Sequence, residues 1–241
     1  MRRIAPALPT AYPPAFMVRL VLFDIDGTLV HTGGAGVKAF GKVFATAFGA
    51  QHGIERMKFA GRTDVSLVRE FFKLHSIPAT SENFELFFDR YVHWLDHILA
   101  HSQSAECPGV RKLITDLEAL PEPPLLGLLT GNIRLGAEIK LRHFGMWDHF
   151  ETGGFADDHE DRDKIAGVAR LRGSRVLGHE LRGEEIVVIG DTPLDIRCGR
   201  AIGARVLAVA TGGATFRELE EHQPDWVVRN LGELRAEEIV C

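Results

Sequence analysis

Acidic side chains directly follow an apolar run near the start of this 241-residue chain. The stretch VLFDIDGTLV, residues 21–30, places Asp24 and Asp26 one residue apart, at the end of a run typical of a buried strand. Two carboxylates this close repel each other unless a cation or a proton lies between them. The pattern therefore indicates either a solvated strand end or a site for a positive charge.

Polar side chains also follow two later apolar runs. Thr130 comes after PLLGLL, with Gly131 and Asn132 at the start of a predicted helix, and Asp191 and Asp195 come after EIVVIG. Open α/β sheets bind ligands at the carboxyl ends of their strands, and the free N–H groups at a helix start can bind an anion. These residues are therefore candidates for one common site.

The elements that must position these side chains alternate between strand and helix. Strands are predicted at Arg19–Phe23, Leu125–Leu129, Phe150–Thr152, Ile186–Ile189, Val206–Val209 and Trp226–Val228. Helices are predicted between them at Leu135–Phe144, Lys164–Leu171 and Leu194–Ala201. Alternating elements with continuously apolar strands predict an α/β fold with a doubly wound parallel sheet, covered on both faces.

One long segment interrupts this alternation. Residues 36–101 contain helical apolar stripes and no convincing strand, and the glycine- or proline-containing stretches 31–36 and 105–110 flank the segment as possible hinges. We therefore expect a helical domain at 33–106, inserted into a core formed by residues 18–32 and 107–241. Residues 1–17 are expected to form a flexible tail, because four prolines interrupt them.

Four ordered motifs give the chain a family resemblance. DIDGTL, LLTGN, a basic residue before a helix, and GDTPLDI resemble the motifs of the haloacid dehalogenase (HAD) superfamily. The stretch from residue 130 to residue 158 is similar to phosphoglycolate-phosphatase-like members. The resemblance covers nearly all of residues 18–240, and it implies a HAD-like Rossmannoid core with a helical C1-type cap at 33–106.

The resemblance implies roles for the first two motifs. Asp24 would attack a phosphoryl group and become an aspartyl-phosphate. Asp26 would protonate the leaving oxygen and later deprotonate the water that cleaves the intermediate. Thr130 and the N–H of Gly131 would hold phosphoryl oxygens, and Asn132 is counted with them as a phosphate-binding residue.

The resemblance also implies a magnesium ion. A carboxylate that approaches a phosphate dianion needs its charge neutralised, and Mg²⁺ is the hard ion that prefers oxygen ligands. Its ligands would be Asp24, the backbone carbonyl of Asp26, and Asp191. Asp195 would orient the basic residue of the third motif or a metal-bound water.

The basic residue of the third motif departs from the family pattern, and the role of a second basic residue, Arg62, is left open. The third motif is commonly KPxP, but here it reads EDRDKIAGVA, in which Arg162 is favoured for the basic role and Lys164 is the alternative. An arginine can neutralise phosphate and bind it through two nitrogens. Arg62, in GRTDVSL, is either a substrate contact on a loop of the cap or a surface arginine.

The expected function is Mg²⁺-dependent hydrolysis of a small phosphomonoester, with a β-phosphoglucomutase-like phosphosugar mutase as the alternative. A haloacid dehalogenase is disfavoured, because halide displacement needs no acid at Asp26. A phosphonate hydrolase would need a cap lysine such as Lys38 or Lys42 for a Schiff base. A non-catalytic receiver-like switch is disfavoured, because the inserted domain would cover the open face that a receiver needs.

Composition restricts partners and compartment. The formal net charge of −5 disfavours a general nucleic-acid surface, and no apolar run is long enough to span a membrane. Three cysteines without CxxC spacing favour a reducing, cytoplasmic location. Met17 is interpreted as the natural start or as the end of a dispensable tail. His93, His97 and His101 share a helix face, which indicates either a metal stripe or, as we favour, a solvated face.

Overall fold

A six-stranded parallel sheet lies at the centre of the molecule, which a computed structural model describes from residue 17 to residue 240. Its strands are β1 (Leu20–Phe23), β4 (Leu125–Leu129), β5 (Thr152–Gly154), β6 (Ile186–Gly190), β7 (Arg205–Val209) and β8 (Trp226–Val228). Their order across the sheet is β5-β4-β1-β6-β7-β8. The predicted α/β fold with a doubly wound parallel sheet is confirmed.

The central strand β1 brings the functional ends of its neighbours together. Phe23, its last residue, pairs with Leu128 of β4 on one side and with Ile189 of β6 on the other. All three strands are buried along their whole length, as their continuous apolar sequences predict. Because the strands are parallel and in close register, the residues that follow them emerge at one edge of the sheet.

Helices cover both faces of this sheet. They are α4 (Val110–Glu118), α5 (Arg134–His143), α6 (Arg162–Leu177), α7 (Pro193–Ala201), α8 (Phe216–Glu221) and α9 (Ala236–Val240). Val21 and Phe23 share a buried apolar cluster with α4, α5 and α9, whereas Leu20 and Leu22 share another with α6 and α7. Successive strand side chains point to opposite faces, so β1 contributes to both clusters.

The helical insertion, residues 33–106, contains α1 (Ala35–Phe48), α2 (Asp64–Leu74) and α3 (Ser81–Leu99). Its centre is an aromatic cluster in which Phe40, Phe44, Phe71, Phe87 and Tyr91 are all buried. Two short antiparallel strands, β2 (Val30–His31) and β3 (Ala105–Glu106), pair at its base. The sequence analysis missed this pair, because two-residue strands carry no periodic signal.

Two predicted elements were displaced by two residues or more, whereas the bounds of the other predicted strands and helices agree to within one residue. The strand expected at Phe150–Thr152 is β5 at Thr152–Gly154, and the helix expected at Lys164–Leu171 is α6 at Arg162–Leu177. The earlier helix start has a local cause, since the Asp161 side chain caps α6 by accepting the N–H of Asp163.

None of the helices in the described range is both long and apolar enough to cross a membrane. The prediction about the tail stays untested, because residues 1–16 lie outside the part of the chain that is described.

Candidate active site

Three buried carboxylates converge where β1 and β6 end. Asp24 follows β1, Asp191 follows β6, and Asp195 lies in the first turn of α7. One carboxylate oxygen from each lies within 4.8 Å of the others, and all three side chains are buried. The sequence prediction that these acids share one site agrees with this geometry.

Burial and repulsion by neighbouring acids make Asp24 and Asp191 hard to ionise without a counter-charge. Burial, followed by the charge of Asp195, raises the pKa of Asp24 well above its ordinary value, and Arg162 only partly opposes this. Burial and Asp195 likewise raise the pKa of Asp191 to about 7. A cation at this cluster would remove both penalties.

Arg162 supplies one positive charge inside the cluster. It is the first residue of α6, is almost fully buried, and donates through Nη2 to Asp195, while the same nitrogen lies 3.7 Å from Oδ1 of Asp24. Burial alone would lower the pKa of Arg162, but Asp195 and Asp24 raise it above its usual value. Its Nε is buried and has no hydrogen-bond partner among the described residues, and its Nη1 donates to the Gly61 carbonyl at 3.2 Å.

Lys164, the alternative for the third motif, lies elsewhere. Its side chain is exposed one half-turn further along α6, and it does not line the cavity above the acids. The helical spacing explains the difference, because two residues along a helix correspond to about 200° of rotation.

The oxygens of Asp195 are already occupied within the protein. Oδ2 accepts the N–H of Thr192 at 3.0 Å and its hydroxyl at 2.6 Å, while Oδ1 accepts from Arg162. This carboxylate therefore caps α7 and orients the arginine.

The backbone around Asp191 is shaped for a compact ligand. A Cβ on Gly27, whose φ is +86°, would lie 2.6 Å from Oδ2 of Asp191, and one on Gly212 would lie 2.0 Å from the same oxygen. Gly213 donates its N–H to that oxygen at 2.5 Å. The glycines let two loops close around buried oxygens, and an all-oxygen donor set of this kind fits Mg²⁺.

Thr130 presents a hydroxyl to the same edge of the sheet. Its Oγ1 accepts the backbone N–H of Asn132 at 3.2 Å and the side-chain amide at 2.8 Å. Since both bonds are accepted, the hydroxyl hydrogen is left to donate toward the cavity. Gly131 lies against the helical insertion, because an added Cβ there would come within 2.2 Å of the Arg62 carbonyl oxygen.

Asp26 lies beside a buried lysine that the sequence analysis did not select. Nζ of Lys140 donates to Oδ2 of Asp26 at 2.6 Å and to Oδ1 of Asn132 at 2.6 Å. Asn132 in turn donates to Oδ2 of Asp26 at 2.9 Å. The sequence held a signal for Lys140, which stands on the apolar face of α5 with Ala137 and Leu141.

The helical insertion contacts the core at Asp64, a second residue that the sequence analysis missed. The N–H of Asp64 donates to the Gly131 carbonyl at 2.7 Å, and its Oδ2 accepts the N–H of Ile133 at 2.9 Å. Burial raises the pKa of Asp64 to about 7, although Lys140 lowers it. This reciprocal pair joins α2 to the loop that carries Thr130.

A cavity of about 430 Å³ lies between the core and the helical insertion. Asp24, Asp26, Thr130, Arg162 and Asp191 line it from the core. Side chains of the insertion close it from above: Val37, Phe40, Phe59, Arg62, Asp64, Leu67 and Tyr91. The wall over the acids is therefore largely apolar.

Arg62 lies at this cavity, but its guanidinium is already paired. It donates to the carboxylate of Glu70 and, at 3.4 Å, to the Ser66 carbonyl, both on α2. Its carbonyl, rather than its side chain, makes the close approach to the core at Gly131.

The other candidate residues lie outside the cavity. Lys38 is exposed and donates to the Gly33 carbonyl at 3.0 Å, and Lys42 lies over the ring of Trp94. His93 and His97 are exposed on α3, and His101 is exposed in the turn that follows this helix.

Comparison with known proteins places the chain in a family. Residues 21–209 match the model of the haloacid dehalogenase-like hydrolases, so the chain belongs to this family. The class that fold and site define is therefore that of a HAD-family hydrolase.

Particular relatives are similar over nearly their whole length. The phosphoglycolate phosphatase of Chromobacterium violaceum is 29% identical, over 90% of this chain and 95% of that protein. The pyrophosphatase PpaX of Bacillus pumilus is 24% identical, over 91% of this chain and 95% of its own. CbbY from Rhodobacter sphaeroides, solved with xylulose-(1,5)-bisphosphate, superposes with a TM-score of 0.73 at 20% identity, over 90% and 96% of the two chains.

Proposed function

We propose that this protein is a Mg²⁺-dependent phosphatase that hydrolyses a small phosphomonoester through an aspartyl-phosphate on Asp24. One observation carries the proposal. Asp24, Asp191 and the guanidinium of Arg162 lie together at one edge of the sheet, and Thr130 follows the adjacent strand β4. Family membership and the names of the similar phosphatases support the same reaction class.

In the first step, an oxygen of Asp24 attacks the phosphorus and the P–O bond to the alcohol breaks. Asp26 gives a proton to the leaving oxygen. Thr130 and Arg162 stabilise the phosphoryl oxygens by donating hydrogen bonds, and the N–H of Gly131 at this turn is a further donor.

In the second step, Asp26 takes a proton from water, and the water oxygen attacks the phosphorus. The bond between phosphorus and Asp24 breaks, which releases inorganic phosphate and restores both carboxyl groups. Asp24, Asp191 and the backbone carbonyl of Asp26 would hold Mg²⁺. When bound, the ion neutralises the charge between carboxylate and phosphate.

The helical insertion is proposed to act as a cap. Its apolar wall leaves about 430 Å³ beneath it, which suits a small phosphate ester and excludes a folded phosphoprotein. Because the core face of the cavity carries most of the charge, the cap wall is expected to select the alcohol part of the substrate.

The test is phosphate release from a panel of esters, with Mg²⁺ and with a chelator, by wild type and by Asp24→Asn. The panel contains phosphoglycolate, pyrophosphate, a glycerol phosphate, hexose phosphates and nucleoside monophosphates. Asp89→Asn is the matched control, since Asp89 is exposed on α3. We expect release that requires both Mg²⁺ and Asp24.

Two outcomes would contradict the proposal. Release that persists in folded Asp24→Asn would exclude the aspartyl-phosphate. Conversion of a sugar phosphate into its isomer, dependent on added bisphosphate and without net phosphate release, would establish the mutase instead.

A further inference from the structure

The ammonium group of Lys140 lies under the catalytic cavity and is held by two residues of the site. Its side chain is only 4% exposed, whereas that of its partner Asp26 is 42% exposed. Nζ contacts Oδ2 of Asp26 and Oδ1 of Asn132, each at 2.6 Å. A buried ammonium is costly unless it is paired, so this arrangement is specific rather than incidental.

Small residues make room for this lysine between the helical insertion and the core. A Cβ on Gly36 of α1 would lie 3.7 Å from both Nζ of Lys140 and the hydroxyl oxygen of Tyr91. A Cβ on Gly136 would lie 3.3 Å from the ring of Tyr91. The distances at Gly36 are ordinary contacts that place α1 against Lys140, whereas the tighter contact at Gly136 indicates that α5 needs a small residue where it meets Tyr91.

The hydrogen bonds of Lys140 restrict how Asp26 can point. Oδ2 of Asp26 receives two donors, from Lys140 and from the amide of Asn132. That amide also donates to Oγ1 of Thr130, so one network joins the first and second motifs. With Oδ2 occupied, Oδ1 is the oxygen of Asp26 that remains for proton transfer.

We infer that Lys140 is a positioning residue for Asp26, and that it chiefly promotes hydrolysis of the phosphoenzyme. The inference rests on the proposed function. By occupying Oδ2, the ammonium leaves Oδ1 of Asp26 in a fixed orientation for the proton transfer from the attacking water. Water attack depends on this orientation for every substrate, whereas departure of the alcohol depends on it only when the leaving group needs a proton.

This division between steps predicts a kinetic signature for Lys140→Met. With 4-nitrophenyl phosphate the leaving group needs little acid assistance, so phosphorylation of Asp24 stays fast. Water attack on the phosphoenzyme becomes limiting, and kcat falls about 10- to 100-fold, as is typical when an outer partner of a site residue is removed. A burst of nitrophenol near one per active site then precedes the slow steady rate, and acid-quenched protein carries phosphate.

Two further variants separate charge from orientation and from general damage. Lys140→Gln keeps a donor for Asp26 without the charge, and we expect a smaller fall in kcat with the same burst. Lys112→Met is the matched control, because Lys112 is exposed on α4 and paired only with Asp116. Circular dichroism verifies that each variant is folded.

The outcomes distinguish the inference from the proposal beneath it. If wild type forms no Asp24-dependent phosphoenzyme and releases no phosphate, the proposed function fails. If wild type is active but both Lys140 variants keep its kcat, the positioning role is wrong. If both Lys140 variants lose activity, the nitrophenol burst falls in the same proportion and the acid-quenched protein carries no phosphate, then Lys140 has only a structural role.

Discussion

The Arg162 guanidinium lies 3.7 Å from Oδ1 of Asp24 and bonds directly to Asp195, although α6 and β1 are far apart in sequence. This contact brings together charged residues that follow β1, β5 and β6, and they lie on the core side of the cavity. The arginine partly neutralises the buried acids and lies beside the proposed nucleophile, so structure and reaction depend on the same side chain.

The first prediction concerns the basic residue of the third motif. Arg162→Ala is expected to lower kcat/KM about 10²- to 10³-fold, the range for losing one preorganised donor. It also leaves Asp195 buried without its partner, which costs about 3–5 kcal/mol of unfolding free energy. Phosphate release and urea unfolding measure the two effects.

Lys164→Ala is the comparison for this experiment. Its side chain is exposed and outside the cavity, so we expect wild-type rates. The reverse ranking, with Lys164→Ala inactive and Arg162→Ala active, would show that the basic role was assigned to the wrong residue.

The second prediction links metal to pH. The pKa of Asp191 is raised to about 7 and that of Asp24 well above its ordinary value. A raised carboxyl pKa in the folded state means that stability is fully present at acid pH and is lost as pH rises through the folded value. The metal-free protein should therefore lose stability between about pH 5 and about pH 8.

Bound Mg²⁺ should offset this loss, because it binds the ionised carboxylates. We expect the increase in Tm caused by Mg²⁺ to be larger at about pH 8 than at about pH 5, by several degrees. Asp191→Asn should abolish most of the difference. Equal Mg²⁺ effects at both pH values would argue against a metal on these acids.

The third prediction concerns Asp64, whose carboxyl joins the helical insertion to the core at Ile133. Its pKa is raised to about 7, so its ionisation also removes stability as pH rises through that range. In Asp64→Asn this loss is absent. Relative to wild type, the variant should gain up to a few kcal/mol of unfolding free energy between about pH 5 and about pH 8, since one pKa unit corresponds to about 1.4 kcal/mol.

Chemical unfolding at the two pH values, with chelator present, measures this difference. Asp89→Asn on the exposed face of α3 is the control, and its effect should not change with pH. If Asp64→Asn and wild type kept a constant difference across the range, Asp64 would be ionised in the folded protein throughout.

The fourth prediction concerns the contact between Gly131 and Arg62. Gly131→Ala would place a Cβ 2.2 Å from the Arg62 carbonyl, so the helical insertion must move away from the core. We expect KM to rise about tenfold or more, because the cavity opens to water. Steady-state kinetics with the best substrate of the panel measure the change.

Gly167→Ala serves as the matched control. Gly167 lies in α6 with open space around its Cα, and an alanine there should add about 0.5–1 kcal/mol of stability without altering KM. An unchanged KM in Gly131→Ala would mean that the contact at Arg62 does not hold the cavity closed.

The sequence by itself determined the parallel α/β sheet, because its strands are continuously apolar and alternate with helices. It also identified the acids and the threonine at the strand ends, since parallel strands in one sheet must present their carboxyl ends together. Asp24, Thr130 and Asp191 could be predicted to lie together for this reason, whereas Arg162 was selected through the family resemblance, with Lys164 as the alternative. The order of the four motifs also indicated the family to which the chain belongs.

Only the tertiary structure decided the contacts between segments that no periodicity connects. In the sequence, Lys140 is not distinguished from other lysines on helices. In the structure, α1 and α3 cover it and it pairs with Asp26. Arg62 and Asp64 are only two residues apart in the sequence. The Asp64 carboxylate nevertheless accepts a hydrogen bond from Ile133 of the core, whereas the Arg62 guanidinium pairs with Glu70 on α2. Such choices depend on which surfaces pack together, and local sequence patterns do not encode that packing.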